Sequence, residues 1–246
     1  GDSEINVTGQ TQSVGYVQMT LDALTAFSIK VTPTPTGYHV PGNQTYHAKN
    51  TPVPEGDWSN SAFWLCAAAC SGEITVTGLN PKSGQGDKAV CDILRQFGAT
   101  VTQKENTVTV RKGELKGIKI DATDIPDLVP ALAVVAAAAI GTTVIQNISR
   151  LRLKESDRVA TVCGLINALG GNAIADENTM TITGNGTLNG GTYDAFQDHR
   201  IVMAAAIAST ICKNPVTITN AQNVNKTYPE YFNDFVKLNG LCRERS

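Results

Sequence analysis

The stretch DWSNSAFWLCAAACSGEITVTGL, residues 57–79, has two counterparts further along the chain. They are DLVPALAVVAAAAIGTTVIQNI at 127–148 and DHRIVMAAAIASTICKNPVTITNA at 198–221. In each copy an Asp precedes an Ala-rich apolar run, which predicts a buried helix, and then a β-branched run, which predicts a strand. The three aspartates stand 70 and then 71 residues apart. Self-similarity at a fixed period indicates a fold built from repeats.

The residues between these copies complete the repeat. Amphipathic stretches at 86–99 and 155–171 predict a second helix, and both close at a glycine that suits a helix C-terminus. Residues 99–111 and 172–183 each predict two short strands around a polar turn. A further strand, such as 117–122, leads into the next copy. The expected fold class is therefore α/β, with helix, strand, helix, strand, strand in each repeat.

Both ends of the chain interrupt this pattern. Residues 16–27 match the second helix and 28–40 match the strand pair, so the first helix and first strand of the opening repeat are expected to be missing. Residues 229–240 again match a second helix, and the sequence stops before its strand pair. Repeat arrays end in polar capping repeats, whereas this one is open at both ends. We expect the chain to be part of a longer protein.

Composition excludes several classes of function. The 246 residues carry a formal net charge of -2, which gives no general attraction to nucleic acid or to an anionic membrane. The longest apolar run, 128–140, is too short to span a bilayer. Three histidines and six cysteines without CxxC spacing argue against a metal site and for reduced core thiols. We expect a cytoplasmic protein without metal, nucleic-acid or membrane partners.

The segment RLRLKESDR, residues 150–158, is the first candidate for chemistry. In an extended chain Arg150, Arg152 and Lys154 would project from one face, and Arg158 follows Lys154 at helical spacing. Such crowding of like charges is tolerated where an anion sits among the cations. The alternative is a solvated basic turn in which Glu155 pairs with Arg158.

Two helix starts supply further candidates. In DIPD, Asp124 or Asp127 could simply cap the helix amides, which is the default interpretation, and otherwise the motif serves a site. In DHR, Arg200 puts a cation at a helix N-terminus, where the macrodipole disfavours it, so we expect a bound anion or, alternatively, a salt bridge to Asp198. His199 is expected to be packed or hydrogen-bonded. Lys226 lies just before a helix expected near residue 229.

Repetition brings these positions together. Helix starts of successive repeats hold Asp127, residues 154–158, Arg200 and Lys226, and stacking of the repeats would place these positions at one end of the domain. That end should bind anions, and Asp127 and Glu155 are the carboxylates there that could move protons.

These motifs resemble those of the 5-enolpyruvylshikimate-3-phosphate synthases. IPD, LKESDR, DHR and KTYPEYF occur in the family's order and spacing, and EGDWSNSAFW at 55–64 is similar to its segment crossing between two domains. The resemblance covers about the C-terminal three-fifths of a family member. It implies an inverse α/β barrel of βαβαββ repeats, incomplete at the N-terminus. Residues 1–55 would be a remnant of the N-terminal domain with one partial repeat, and 56–246 most of the C-terminal domain, about three repeats with the last unfinished.

The resemblance also implies an activity and residue roles. The family transfers the enolpyruvyl group of phosphoenolpyruvate to the 5-hydroxyl of shikimate 3-phosphate, releases phosphate and needs no cofactor. Asp127 would accept the hydroxyl proton and Glu155 would shuttle a proton at the methylene carbon. The cations Lys226, Arg158 and Arg200 would hold phosphoenolpyruvate, with Lys226 in the catalytic group beside the two carboxylates. The shikimate 3-phosphate contacts would be Ser13, Tyr16 and Lys154, with Arg150 at a position where some members have asparagine.

Two alternatives remain open. The related transferase acting on UDP-N-acetylglucosamine would share the fold, but the KESDR and DHR motifs are not expected in it. A catalytically silent phosphate-binding fragment is the other, because the rest of the substrate cleft would come from the missing N-terminal part of the same protein.

Overall fold

The computed structural model describes residues 1–9, 11, 13–48, 51 and 53–244. The chain divides into two compact units. The N-terminal unit comprises residues 1–56 and 82–86, and the C-terminal unit comprises 57–81 and 87–246.

The described residues of the N-terminal unit form one helix and one three-stranded sheet. Its elements are β1 (Ser3–Asn6), α1 (Val14–Ala26), β2 (Thr32–Thr34) and β3 (Gly37–Val40). The sheet order is β1-β3-β2, and both pairings are antiparallel. The expectation that the first strand of this repeat is missing is wrong, because β1 occupies that place. Its four residues are all exposed and include a single β-branched side chain, so the sequence there has no strand pattern.

The C-terminal unit holds three successive repeats. The first has α2 (Trp58–Ser71), β4 (Glu73–Thr77), α3 (Val90–Phe97), β5 (Thr100–Lys104) and β6 (Thr107–Arg111). The second has β7 (Lys119–Asp121), α4 (Val129–Ala138), β8 (Ile140–Gln146), α5 (Arg158–Ala168), β9 (Asn172–Ala175) and β10 (Thr179–Asn185). The third has β11 (Gly191–Asp194), α6 (His199–Ala208), β12 (Val216–Thr219) and α7 (Tyr231–Lys237). Short 3-10 turns precede α3, α4 and α5, and others cover Ser209–Ile211 and Ala221–Lys226.

The sheets repeat one topology. Their orders are β4-β6-β5 and β7-β8-β10-β9, where the lead-in strand β7 runs parallel to β8 and the remaining pairs are antiparallel. The third repeat has the parallel pair β11-β12. Within the described residues, β12 has no partner on the side where β8 pairs with β10. The third sheet therefore has an open edge where the second has two more strands.

The core of the C-terminal unit is formed by the three Ala-rich helices. Helices α2, α4 and α6 pack against one another, and all residues of α4 from Val129 to Ala137 are buried. A helix that is apolar all round can only be stable inside a core. The aromatic side chain of Trp64 in α2 stacks on Tyr231 in α7, with ring centroids 4.7 Å apart. The sequence-based expectation of buried Ala-rich helices is thus confirmed.

In the C-terminal unit, a left-handed residue follows the strand after each Ala-rich helix. These residues are Gly78, Asn147 and Asn220, with φ of 85°, 61° and 57°. Glycine and asparagine are the residues that adopt this conformation most readily. The Asn147 amide also donates to Asp121 at 2.9 Å, which ties the end of β8 to the end of β7.

The described residues have neither a membrane-spanning helix nor a cluster of metal ligands. Among the helices that the structure describes, none is long and apolar enough to cross a membrane. The same residues contain no group of three or more His, Cys, Asp or Glu placed to hold a metal ion.

Candidate active site

Charged side chains from the second and third repeats meet in the C-terminal unit. They come from the starts of α4, α5 and α6, from the segment before α5 and from the end of the 3-10 turn Ala221–Lys226. We call this set the ion cluster; its members are Asp127, Lys154, Glu155, Arg158, Asp198, His199, Arg200 and Lys226. Its four basic and three acidic side chains come from separate stretches of the sequence between residues 127 and 226. The expectation that stacked repeats bring these helix starts together is thus met for this set.

Arg158 lies at the centre of the ion cluster. Its residue is fully buried, with 0% exposure. Its Nε donates to Asp198 Oδ2 at 2.8 Å, its Nη1 to Asp127 Oδ1 at 2.6 Å and its Nη2 to Glu155 Oε2 at 2.6 Å. Burial opposes the charge on the guanidinium, but the carboxylates, Asp198 first, outweigh burial and raise its pKa. The alternative of a solvated basic turn is wrong: the Glu155–Arg158 pair forms, but the guanidinium is inside the protein.

Asp127 serves this cluster and makes no capping hydrogen bond. Its Oδ1 lies 2.6 Å from Arg158 Nη1, 3.2 Å from Lys154 Nζ and 3.6 Å from Arg200 Nε. Neither the 3-10 turn before α4 nor α4 itself has a side-chain cap. Burial works against ionisation of Asp127, but the three cations overcome it and lower the pKa. Asp127 is therefore an ionised carboxylate at neutral pH, as a proton acceptor must be.

Glu155 is held by cations on both oxygens. Lys226 Nζ donates to Oε1 at 3.0 Å, while Oε2 accepts from Arg158. Burial would raise the pKa of Glu155, but the hydrogen bond from Lys226 and the nearby positive charges lower it to about 2. Lys226 lies at the end of the turn Ala221–Lys226, and the helix expected near residue 229 begins at Tyr231. Glu155 and Lys226 form the more exposed side of the cluster, with side chains 30% and 55% exposed.

Arg200 presents a buried donor with no acceptor. Asp198 caps α6 by accepting the Arg200 backbone N–H at 2.9 Å, but its carboxylate pairs with Arg158. The Arg200 guanidinium turns instead toward Asp127, so the alternative of a salt bridge to Asp198 is wrong. Its Nη1 is buried and has no hydrogen-bond partner among the described residues. A buried, unsatisfied N–H on a cation is costly unless an acceptor, such as a bound anion, fills the space.

His199 is packed as expected, but it is not fully bonded. The residue is 3% exposed, and Nδ1 has no hydrogen-bond partner among the described residues. That atom lies 3.9 Å from Asp198 Oδ1 and 4.0 Å from Glu155 Oε1. Burial, together with the positive charge of Arg200, lowers the pKa of His199. The imidazole is therefore neutral at physiological pH.

The basic residues of 150–154 do not share a face. The segment Ser149–Leu153 is a 3-10 turn, not an extended strand, so the expected alternation is wrong. Arg150 Nη1 donates to the Thr123 carbonyl at 3.4 Å, while Arg152 binds Asp157 at 3.1 Å. Lys154 joins the ion cluster through Asp127.

Ser13 and Tyr16 belong to the N-terminal unit. Ser13 precedes α1 with φ of 55° and makes no side-chain cap, and its carbonyl accepts the Tyr16 N–H at 2.9 Å. Tyr16 is 38% exposed in the first turn of α1. Their role as substrate contacts stays a prediction.

Known proteins are similar to this chain in both sequence and fold. The family model of EPSP synthase (3-phosphoshikimate 1-carboxyvinyltransferase) matches residues 1–235. The chain belongs to the EPSP synthase family. Among curated EPSP synthase relatives, the 3-phosphoshikimate 1-carboxyvinyltransferases of Clostridium acetobutylicum and Clostridium kluyveri are 42% and 39% identical to it over 247 residues. Each alignment covers 100% of this chain but 57% and 58% of the relative, so the chain spans little more than half the length of these curated relatives.

Solved structures confirm the expected fold. An EPSP synthase from Acinetobacter baumannii has a TM-score of 0.80 at 25% identity, covering 96% of this chain and 56% of the other. The enolpyruvyl transferase NikO from Streptomyces tendae has a TM-score of 0.74 at 20% identity, covering 92% and 54%, and supports the fold alone. The family match also decides against the transferase acting on UDP-N-acetylglucosamine.

Sequence reasoning missed the role of Asp198. It considered this residue only as a partner for Arg200, whereas the carboxylate binds Arg158, 40 residues earlier in the chain. Capping by itself accounts for an Asp at a helix start, so the neighbouring residues do not indicate that Asp198 also binds Arg158.

Proposed function

We propose that the ion cluster is the acid–base and anion-binding centre of an enzyme that transfers the enolpyruvyl group of phosphoenolpyruvate to the 5-hydroxyl of shikimate 3-phosphate. The observation that carries the proposal is the set of two ionised carboxylates, Asp127 and Glu155, held among four cations. One of these cations, Arg200, has a buried N–H for which the described residues supply no acceptor. A reaction between two phosphorylated substrates needs an acid, a base and several cations, and it needs no metal or cofactor.

The addition step uses the two carboxylates differently. The 5-hydroxyl oxygen forms a bond to C2 of phosphoenolpyruvate, and Asp127 takes the hydroxyl proton. At the same time C3 gains a proton from the hydrogen-bonded pair Lys226–Glu155, in which the ammonium carries the proton. The product of this step is a tetrahedral ketal.

The elimination step returns that proton. Glu155 removes a proton from C3, the C2–C3 double bond re-forms, and the bond from C2 to the phosphate oxygen breaks. Phosphate leaves with the electron pair, and the cations that held it balance its charge. Lys226, Arg158 and Arg200 are assigned to phosphoenolpyruvate, and Lys154, Ser13, Tyr16 and Arg150 to shikimate 3-phosphate.

The domain assignment is part of the same proposal. Residues 1–55 represent a remnant of the N-terminal domain, and 56–246 represent most of the C-terminal domain. The open edge of β12 supports an unfinished last repeat, because the second repeat places two further antiparallel strands at the equivalent edge. The N-terminal part of the same protein is the proposed source of the missing strands and of the rest of the cleft. Free, buried thiols such as Cys66 and Cys70 support a cytoplasmic location.

The test uses a protein extended to the length of the clostridial relatives. We expect it to release phosphate from phosphoenolpyruvate only when shikimate 3-phosphate is present. Glu155→Gln should lower kcat far more than it raises KM, because the interaction it removes acts in the transition state. Glu177→Gln, on an exposed turn, is the matched control and should behave as wild type. Absence of phosphate release from the wild-type protein would refute the function, and normal turnover by Glu155→Gln would remove that residue from the mechanism.

Binding to Arg200 is tested separately. Arg200→Ala should weaken phosphoenolpyruvate binding by about 1–3 kcal/mol, because a charge-assisted hydrogen bond to an anion is lost. Unchanged affinity, measured by calorimetry, would show that the unpartnered Nη1 does not serve this substrate.

The second candidate, a silent phosphate-binding fragment, applies to the chain in isolation. The 246-residue chain should bind either substrate weakly and turn over neither, because catalysis depends on enclosing both substrates. Adding a separately made N-terminal part should restore phosphate release. Full activity of the chain by itself would contradict this.

A further inference from the structure

Asp198 is the most completely bonded carboxylate of the ion cluster. It is 0% exposed, and each of its oxygens accepts two hydrogen bonds. Oδ1 accepts from the Arg200 backbone N–H at 2.9 Å and from Arg158 Nη2 at 3.2 Å. Oδ2 accepts from Arg158 Nε at 2.8 Å and from the Ser156 hydroxyl at 3.0 Å. With four protein donors bound, the Asp198 carboxylate has no acceptor position left for a substrate.

The bonds between Asp198 and Arg158 fix the orientation of a rigid group. The guanidinium is planar and holds its donors in a fixed fork. Asp198 binds the edge formed by Nε and Nη2. With that edge fixed, Nη1 points to Asp127 at 2.6 Å and the free hydrogen of Nη2 points to Glu155 at 2.6 Å. Both of these carboxylates are partly exposed, with side chains 22% and 30% accessible.

We propose that Asp198 is a positioning residue that, by anchoring Arg158, aims Asp127 and Glu155 at the reacting atoms. Asp198 touches neither substrate in this role. The inference rests on the proposed function for the assignment of the two carboxylates. The hydrogen bonds between Asp198 and Arg158, which we call the anchor, do not depend on that assignment.

The elements that hold Asp198 explain why one residue can set this geometry. The residue is the N-cap of α6, so its backbone is fixed by the buried Ala-rich helix that follows. Ser156 precedes α5 and binds the same carboxylate, so the anchor joins the starts of two helices. The other titratable groups facing Glu155 are Lys226 and His199. Neither of them contacts Asp127 in the cluster, so Arg158 is the shared link between the two carboxylates.

The test variant is Asp198→Asn. The amide has the same shape and keeps one oxygen, which can still cap the Arg200 N–H. Its NH₂ group replaces an acceptor with a donor, so the bidentate contact with Arg158 is lost. Asp157→Asn is the matched control, because Asp157 is the N-cap of the neighbouring helix α5 and is exposed. In that position an asparagine caps as well as an aspartate.

The first readout needs no catalytic activity. In the 246-residue chain, nuclear magnetic resonance should show the Arg158 Nε–H protected from exchange and the Glu155 carboxyl titrating near its pKa of about 2. Asp198→Asn should remove the protection and raise the pKa of Glu155, while Asp157→Asn should change neither. Retained protection together with an unchanged Glu155 titration would overturn the proposal. If Asp198→Asn does not fold, Arg158→Lys, which keeps the charge but lacks the fork, should raise the same pKa.

The second readout is kinetic and uses the extended protein. A displacement of about 1 Å in a reacting group costs about 100-fold in rate, so kcat should fall by about that factor in Asp198→Asn. KM for both substrates should change little, and the acidic limb of the kcat profile should move to higher pH. A rise in KM with kcat unchanged would refute positioning. Failure of the wild-type protein to release phosphate would refute the proposed function and leave the spectroscopic result to decide on the anchor.

Discussion

Replacing Arg158 by Met should destabilise the C-terminal unit more than any exposed charge substitution. Met preserves most of the apolar volume of the side-chain stem, so the change mainly removes the guanidinium. Asp198, at 0% exposure, then keeps the Ser156 hydroxyl and the Arg200 N–H but loses both hydrogen bonds from the Arg158 guanidinium. Breaking a buried ion pair from one side costs about 3–5 kcal/mol, because it leaves an uncompensated charge.

The measurement is urea unfolding of the 246-residue chain at neutral pH, followed by tryptophan fluorescence. Both tryptophans, Trp58 and Trp64, lie in α2, so the signal reports on the C-terminal unit. Arg152→Met is the matched control. Arg152 belongs to the same segment but is 37% exposed and pairs with an exposed Asp157. That pair should be worth about 1 kcal/mol or less.

Comparing Arg158→Met with Arg152→Met shows whether the buried guanidinium contributes more to stability than an exposed one. A loss below about 1 kcal/mol for Arg158→Met, equal to that of the control, would show that the buried guanidinium contributes no more than a surface one. If Arg158→Met does not fold, Arg158→Lys should fold with a loss of about 2 kcal/mol, since it keeps the charge but loses the bidentate contact. If Arg158→Lys were as stable as wild type, the bidentate contact between the guanidinium and Asp198 would contribute nothing to stability, and the reasoning would be refuted.

Three further outcomes are expected. Folding lowers the pKa of Glu155 from an ordinary 4.5 to about 2, so the contribution of this carboxylate to stability is fully present above pH 4.5 and is lost as pH falls toward 2. Urea unfolding between these pH values should show a smaller loss of unfolding free energy for Glu155→Gln than for wild type. Gly117→Ala should cost about 1–3 kcal/mol in the same assay, because its Cβ would lie 2.2 Å from the Thr142 carbonyl oxygen, whereas Gly72→Ala, with open space around it, should be tolerated; equal effects would contradict this. Asp57→Ala should cost about 1 kcal/mol by removing the cap of α2, and Asp57→Asn should restore it; no loss in the alanine variant would refute the capping role.

The repeats could be predicted because their signals are local. Composition decides that α4 is buried on all sides, and a glycine at Gly98 or Gly170 marks a helix end because it adopts a left-handed conformation there. Strand β1 carries no such signal. It is exposed on both faces, and its place is defined only by pairing with β3, more than thirty residues later.

The ion cluster could be predicted as a set but not in its arrangement. The recurrence of charged residues at helix starts indicates one shared end of the domain. Alternation of Arg150, Arg152 and Lys154 assigns a common face only if the backbone is extended. In the 3-10 turn Leu151 is buried but Leu153 is exposed, which a strand alternating between two faces would not give. The burial of Arg158 depends on carboxylates 31 and 40 residues away. No property of the segment around Arg158 reports such distant partners.

The same cations that keep the carboxyl groups ionised are the ones assigned to the substrates. Lys226 holds Glu155 at 3.0 Å, and Arg200 lies 3.6 Å from Asp127. A phosphate or carboxylate that draws these cations toward itself weakens their hold on the protein's own carboxylates, and the pKa of each carboxyl must then rise toward its ordinary value. A group with a pKa near 2 is a poor proton acceptor, whereas a group nearer neutrality exchanges protons well. Substrate binding would therefore activate the acid–base pair by competing for its counterions, while the buried anchor of Arg158 on Asp198 keeps both carboxylates in place.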